Sequence, residues 1–397
     1  MENKKHFTLT IIFLVVLTVI FLLLSIYLSQ SNENYRNLDF FTFWLGSRMA
    51  IQGQNVYDQT LWVANHALYG STWVENLFYV YPLSTAIVFI PFGLLNIKLA
   101  STLWIFLTLV AIAASVLLIL SLWKKVNWTA YILPVLLGSF LFRPTFLNLF
   151  VGQIDGFLFF FFALALFLFS KKKALWACAV MALMTLKPNI GIPLIVLFAL
   201  HLLCQKKWKE TAILLSTPLI IFLVPLLFDP HWIKNYFYVV LHKSADNNLF
   251  PNLHGLAGVL TNGSTVWTIF LWLALSLLLL GIMIFVYLKH SFKMNHFIVA
   301  LFALLISILV TPYLRAYDLI FLLLPILYIT GSYAEKSESF LKINLVYLSW
   351  SLAAFAFLFL AVALNHDIFS VFLTILVLLF MIVQIQDRHH SLTILPS

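Results

Sequence analysis

Apolar residues in this chain come in long blocks, and polar residues gather in the intervals between them. The first block runs from 8 to 29, behind Lys4, Lys5 and His6. Twelve more follow, at 82–97, 99–123, 128–147, 154–170, 174–187, 189–204, 211–228, 266–288, 297–311, 317–331, 341–364 and 367–386. Such blocks suit helices in lipid, which need about 20 apolar residues to cross, better than the alternating strands of a barrel, about ten residues each. Backbone in hydrocarbon must satisfy its own hydrogen bonds, which leaves the helix as the spanning element. The pattern therefore predicts an all-α polytopic membrane protein. Its first block is too long for a signal peptide, and no A-x-A-like cleavage site follows, so it is read as a retained helix with its N-terminus inside.

The polar intervals set the topology. If all thirteen blocks cross, Lys124 and Lys125 face outside. If 82–97 instead enters and returns, the basic groups at Lys124–Lys125, Lys171–Lys173, Lys206–Lys209, Lys289 with Lys293, Lys336 and Arg388 all lie inside, where cytoplasmic loops concentrate Lys and Arg. The preferred reading is twelve crossings in a range of 12–13, both ends inside, as one integral domain over 1–397 in the inner or plasma membrane. Composition agrees. The chain is 63% hydrophobic and 9% charged, with mean hydropathy +1.03, against about 45–50% and 25% in soluble domains. The net charge of +9 then reads as orientation in the membrane, and no nucleic-acid partner is expected. Cys178 and Cys204 lie inside apolar blocks and read as packing residues.

This topology places three polar regions outside: the interval 30–81, the interval 229–265, and the short turns Arg143–Asp155, Lys187–Asn189 and Thr311–Asp318. The first is too aromatic for disorder, with Tyr35, Phe40, Phe41, Phe43, Trp44, Tyr57, Trp62, Tyr69, Trp73 and Phe78. Its composition predicts two amphipathic helices lying on the bilayer, at 40–52 and 59–69. Asp39 stands about ten residues beyond the first block, beside hydrophobic rings, where a partly desolvated carboxylate makes a better general base. By position alone, Asp39 and Asp58 read equally as helix caps. In the 229–265 interval, Asp229, His231, His242, Asp246 and His254 show no zinc-binding spacing. Walker A and G-x-G-x-x-G motifs are absent, so no metal or cofactor is expected.

Several short motifs occur in a definite order. Asp39-Phe40-x-x-Phe43-Trp44-x-x-x-Arg48 is followed by Gly53-x-x-x-Tyr57-Asp58 and by Tyr81-Pro82 ahead of an apolar block. Later come Gly152-Gln153, Leu186-Lys187-Pro188, and Thr311-Pro312-Tyr313 leading to Tyr317-Asp318-Leu319. Together, over 8–331, they resemble glycosyltransferase family 87, with 332–397 as C-terminal helices. The resemblance implies a GT-C-type helical bundle that passes a sugar, mannose-like or another hexose, from a polyprenyl-phosphate-linked donor to a lipid or glycan acceptor on the outer face. It implies that Asp39 is the catalytic base. Relatives often carry a histidine in the segment where this chain has Arg315.

An inverting transfer needs that base, plus groups to hold charge developing on the leaving lipid phosphate. Arg48, Lys187 and Arg315 are the candidates, with Arg143 behind them. Lys187 also reads as a lysine snorkelling to the interface, and Arg315 as an ion pair with Asp318. Tyr81, Gln153, Asp155, Tyr317, Asp318 and His254 are candidate sugar or acceptor contacts. Gln153 and Asp155 read equally as helix-start residues, the two tyrosines equally as members of an aromatic belt. Two rival functions fit the same topology: a flippase for a lipid-linked sugar, and an O-antigen-type ligase or polymerase. No internal repeat of the transporter kind stands out, and the richest loop comes early rather than late.

Overall fold

The computed structural model describes residues 2–72, 78–123, 126–242, 250–289, 294–336, 339–364 and 366–389. Trp73, Lys124, Lys125, Asp246 and Lys293 lie outside the described residues, as do the side chains of Lys4, Lys5, His6 and Arg388. Every element among the described residues is helical. α1 spans Glu2–Ser31, α2 Asp39–Ile51, α3 Gln59–Leu68, α4 Leu83–Val88, α5 Ile90–Gly93 and α6 Ile97–Leu120. α7 spans Ile132–Leu141, α8 Arg143–Val151, α9 Asp155–Ser170, α10 Ala174–Met181, α11 Pro188–Cys204 and α12 Trp208–Leu223. α13 spans Trp232–His242, α14 Leu253–Leu260, α15 Thr265–Lys289, α16 His296–Val310, α17 Leu323–Ala334, α18 Phe340–Leu364 and α19 Val371–His389.

Among the described residues, six helical stretches are long and apolar enough to cross a membrane: Ile97–Leu120, Trp208–Leu227, Thr265–Lys289, Ala316–Ala334, Phe340–Ala361 and Ile368–Ile385. Two bent pairs raise the number to eight if each is one span: Val15–Ser31 with Glu33–Ile51, bent by 74°, and Trp128–Leu141 with Arg143–Val151, bent by 63°. Four shorter apolar helices, Asp155–Ser170, Ala174–Leu186, Pro188–Cys204 and His296–Val310, occupy further apolar blocks. The chain is thus built as a multi-pass membrane protein.

The block at 82–97 is not one helix. α4 and α5 meet at Phe89, and Pro91 in the first turn of α5 removes a backbone donor there. At about 1.5 Å per residue neither piece approaches the roughly 30 Å of a hydrocarbon core. A Cβ at Gly93 would overlap Ser47 Oγ, so α5 seats directly against α2.

The chain divides into two compact units. One comprises Met1–Ile112, Leu149–Gly156 and Val224–Lys243; the other comprises Ala113–Asn148, Phe157–Leu223 and Ser244–Ser397. In the first unit the bend after α1 runs through Glu33, Asn34 and Tyr35, all left-handed with φ of 51°, 56° and 63°. L-residues resist that conformation. Here it is fastened by the buried Tyr35 hydroxyl, which donates to the Leu149 carbonyl at 2.7 Å.

α2 departs from the amphipathic surface helix expected at 40–52. Phe40 through Ser47 and Met49 are all buried, because rings close over it from several sides. Phe43 stacks on Phe89 at 4.8 Å between centroids, and Phe89 packs on Trp104 at 4.5 Å. A helix apolar all round belongs inside a fold. α3 does show two faces, with Trp62, Asn65 and His66 buried and Leu61, Val63 and Leu68 exposed. Asp58 caps it, accepting from the Leu61 amide at 3.0 Å.

In the second unit α11 packs on α16, and every residue of α16 from Phe297 to Leu309 is buried. α15, equally apolar, exposes Val266, Phe270, Leu277 and Phe285. Exposed apolar helix of that length suits a lipid-facing position.

Candidate active site

The first unit brings two of the sequence candidates, Gln153 and Tyr81, to one carboxylate. Asp39 is the first residue of α2 and is half-buried. The residue in the N-cap position is Leu38, which makes no side-chain cap. Asp39 Oδ2 accepts a hydrogen bond from Gln153 Nε2 at 2.7 Å. That amide also lies 3.2 Å from the Tyr81 hydroxyl, and its oxygen accepts from the Ile154 backbone at 3.0 Å. Gln153 is fully buried, so its orientation is set by these partners. The preceding Gly152 has φ 70°, and a Cβ there would sit 2.7 Å from Phe40 Cβ, so only glycine lets this turn close on α2. Its carbonyl accepts from Trp104 Nε1 at 2.9 Å, which pins the turn. Asp155, two residues on, is fully buried in the first turn of α9.

Tyr81 is held in turn by Tyr57, whose hydroxyl donates to the Tyr81 carbonyl at 3.0 Å. Burial, reinforced by Tyr79, Tyr236 and Asp229, holds the Tyr57 phenol well above its ordinary pKa, so it stays a donor. Burial likewise pushes Tyr236 up to about 12 and pulls His66 down to about 4. Arg48, on the same helix as Asp39, turns elsewhere. Its Nε donates to the Tyr69 hydroxyl at 2.9 Å and Nη1 to the Gly93 carbonyl at 3.0 Å, with the guanidinium 5.2 Å from the Trp44 ring centre. Nine residues of helix set it about 14 Å along the axis from Asp39.

The second unit gathers the later candidates. Lys187 and Asp318 form a buried ion pair, Lys187 Nζ to Asp318 Oδ1, with side chains 4% and 0% exposed. The lysine therefore does not snorkel to a surface. Its ammonium also lies 4.9 Å from the Tyr317 ring centre. Asp318 Oδ2 accepts from the Arg315 backbone amide at 2.7 Å, starting the 3-10 helix Ala316–Leu322. The Arg315 guanidinium lies over Phe250 and Tyr313, at 5.6 and 5.5 Å. Phe250 is also in contact with the His254 ring, at 6.5 Å. Burial lowers the pKa of His254, and its Nδ1 is buried with no hydrogen-bond partner. Arg143 pairs with Asp367 at 2.6 Å.

Two asparagines that no motif singled out fasten this region. Asn252, fully buried, donates to the Thr311 carbonyl at 2.7 Å and caps α14 through the Gly255 amide at 2.9 Å. Asn189 donates to the Tyr313 carbonyl at 2.9 Å. Each directly follows a proline at a helix start, which is the one sequence signal that marks them.

A model of glycosyltransferase family 87 matches residues 79–312, more than half of the 397-residue chain. The chain belongs to glycosyltransferase family 87. The matched stretch contains Tyr81, Gln153, Asp155, Lys187 and His254, while Asp39, Arg48, Arg315, Tyr317 and Asp318 flank it. No curated protein and no solved structure matches the chain. As a family 87 member with several apolar helices, it is a membrane glycosyltransferase, acting on a sugar donor and an acceptor. Among the described residues no group of three or more His, Cys, Asp or Glu could hold a metal ion.

Proposed function

We propose that this family 87 enzyme transfers a hexose, mannose-like or related, from a polyprenyl-phosphate-linked donor to a lipid or glycan acceptor at the outer face of the inner or plasma membrane, within the cell envelope. The observation that carries the reading is the half-buried Asp39 carboxylate, held at the start of α2 by the amide of Gln153. The acceptor hydroxyl attacks the anomeric carbon and loses its proton to Asp39 as the new bond forms. The bond from that carbon to the phosphate oxygen breaks, and the lipid phosphate leaves with the electron pair. One displacement inverts the anomeric centre. The carboxylate also stabilises the oxocarbenium-like transition state, and general-base help of this kind is worth about 10²–10⁴-fold.

Tyr81, Gln153 and Asp155 then serve as sugar contacts, and Tyr317, Asp318 and His254 as further sugar or acceptor contacts. Arg48, Lys187 and Arg315 are assigned to the donor phosphate. The unpartnered, buried Nδ1 of His254 supports a ligand there, since such an atom in a native fold ordinarily finds a partner. Twelve crossings in a single domain remain the proposed topology. The six long helices and two bent pairs support eight of them, and the four shorter apolar helices fall in the remaining apolar blocks.

The test uses the full chain in nanodiscs, given polyprenyl-phosphate-linked mannose, glucose or galactose and a library of lipid and glycan acceptors. Wild type is expected to transfer sugar, and Asp39→Asn to lose at least about 100-fold of that rate with unchanged expression and melting. Turnover by Asp39→Asn at the wild-type rate overturns the assignment. Movement of the lipid-linked sugar between leaflets without transfer supports the flippase instead.

A further inference from the structure

The first unit holds a second feature that this chemistry does not use. Beyond the C-terminal end of α2, Ala50 and residues 53–56, with Leu83, residues 228–231, Lys234 and Asn235, line an open cleft of about 530 Å³. Clefts of about 300–1,000 Å³ are the usual size for small-ligand sites. Gly53, with φ 67° and nothing within 4 Å of a Cβ position, turns the chain while leaving that space open.

The lining is chemically specific. Gln54 Oε1 accepts from Asn65 at 3.1 Å, Asn55 Oδ1 from the Tyr57 amide at 2.9 Å, and Asp229 Oδ1 from the His231 amide at 2.8 Å. Each side chain is thus oriented through one atom and keeps another for a ligand: two amide nitrogens as donors and a carboxylate oxygen as acceptor. Asn235 and Lys234 add further donors, and Phe228, 49% exposed, offers an apolar face. Mixed donors and acceptors beside an exposed ring match sugar hydroxyls and the apolar face of a pyranose. A carboxylate in the same lining as the lysine disfavours a phosphate.

Position adds the second half of the argument. Ala50, which lines the cleft, lies eleven residues along α2 from Asp39, about 16 Å at 1.5 Å per residue. A sugar bound beside Ala50 is too far from Asp39 to react. We infer that the cleft binds the non-reacting sugars of an oligosaccharide acceptor, so that the acceptor is a glycan several units long. This inference rests on Asp39 marking the reacting end. Binding energy gained remotely can be used to orient the reacting hydroxyl.

The experiment measures binding of fluorescently labelled mono-, di- and tetrasaccharides of mannose, glucose, galactose and N-acetylglucosamine to the full chain in nanodiscs. At least one tetrasaccharide is expected to bind about tenfold tighter than its monosaccharide, and Gln54→Ala with Asn235→Ala to remove about tenfold of that affinity. Because Gln54 also holds Asn65, Phe228→Ala with Asn235→Ala repeats the measurement without touching that bond. Asp39→Asn is expected to bind the tetrasaccharide as wild type does. The inference is overturned if no tetrasaccharide of the panel binds, if monosaccharides bind equally well, or if the Phe228→Ala, Asn235→Ala pair leaves affinity unchanged. Full transfer by Asp39→Asn would instead remove the general-base reading and leave the glycan-binding result to stand by itself.

Discussion

Asp39 and Asp318 are the same residue type, each near the start of a helical segment, and the fold uses them in opposite ways. Asp318 is fully buried, balanced by the Lys187 ammonium, and its second oxygen holds the Arg315 amide. Asp39 is half-buried and is held by a neutral amide, Gln153. A charge as deep as Asp318 needs a counter-charge to survive desolvation, and the Lys187 ammonium supplies it. The Gln153 amide positions one oxygen of Asp39 without placing it in the deep interior that encloses Asp318. The two carboxylates thus differ in depth and in the kind of donor that holds them.

The contrast is sharpest in a pair of exchanges. Asp39→Asn is expected to cost at least about 100-fold in transfer and no more than about 1 kcal/mol in stability, read by activity assay and by melting in nanodiscs. Asp318→Asn is expected to destabilise by about 3–5 kcal/mol, because it strands the Lys187 charge. The double change Lys187→Met, Asp318→Leu is expected to recover most of that stability. If it also recovers transfer, the pair is structural alone; if transfer stays lost, Lys187 or Asp318 meets the substrate. Gln153→Ala is expected to lower kcat roughly tenfold by freeing Asp39 to move, with equal expression of the variant as the control.

Smaller effects test the frame around Asp39. His66 is buried between Phe41 and Trp62, with its pKa lowered to about 4. In the unfolded chain it binds a proton near 6.5. Its contribution to stability is therefore complete above about pH 6.5 and is lost as pH falls toward 4. Melts at pH 7 and pH 5 are expected to differ more for wild type than for His66→Gln. Asp58→Ala is expected to cost about 1 kcal/mol through the lost cap on α3, with no change in kcat.

Parts of this molecule were legible from residue order alone. The lysine blocks suggested that 82–97 is a short segment that enters and returns, and the structure shows two short helices there, α4 and α5, meeting beside Pro91. Asp58 caps as its position suggested. Elsewhere the pattern was silent, because lipid and protein interior are equally apolar. α15 and α16 carry the same hydrophobic signal, yet one is largely exposed and the other buried throughout. The rings of α2 read as an interfacial helix for the same reason, and are enclosed by Phe89 and Trp104 instead. Arg48 stood out as a cation, but residue order could not show that its donors go to Tyr69 and Gly93. The cleft joins residues near 53 with residues near 230, and no motif links the two stretches.

The fastening of Tyr35 to Leu149 has a consequence for synthesis. Tyr35 and its acceptor are 114 residues apart in the chain, and so are Asp39 and Gln153. A nascent chain emerges N-terminus first, so α1 and α2 are made long before the turn that clasps them. Until the segment around Gly152 arrives, the left-handed bend has no lock and Asp39 no amide. The carboxylate proposed as the base is thus completed late, when more than a third of the chain has already been made.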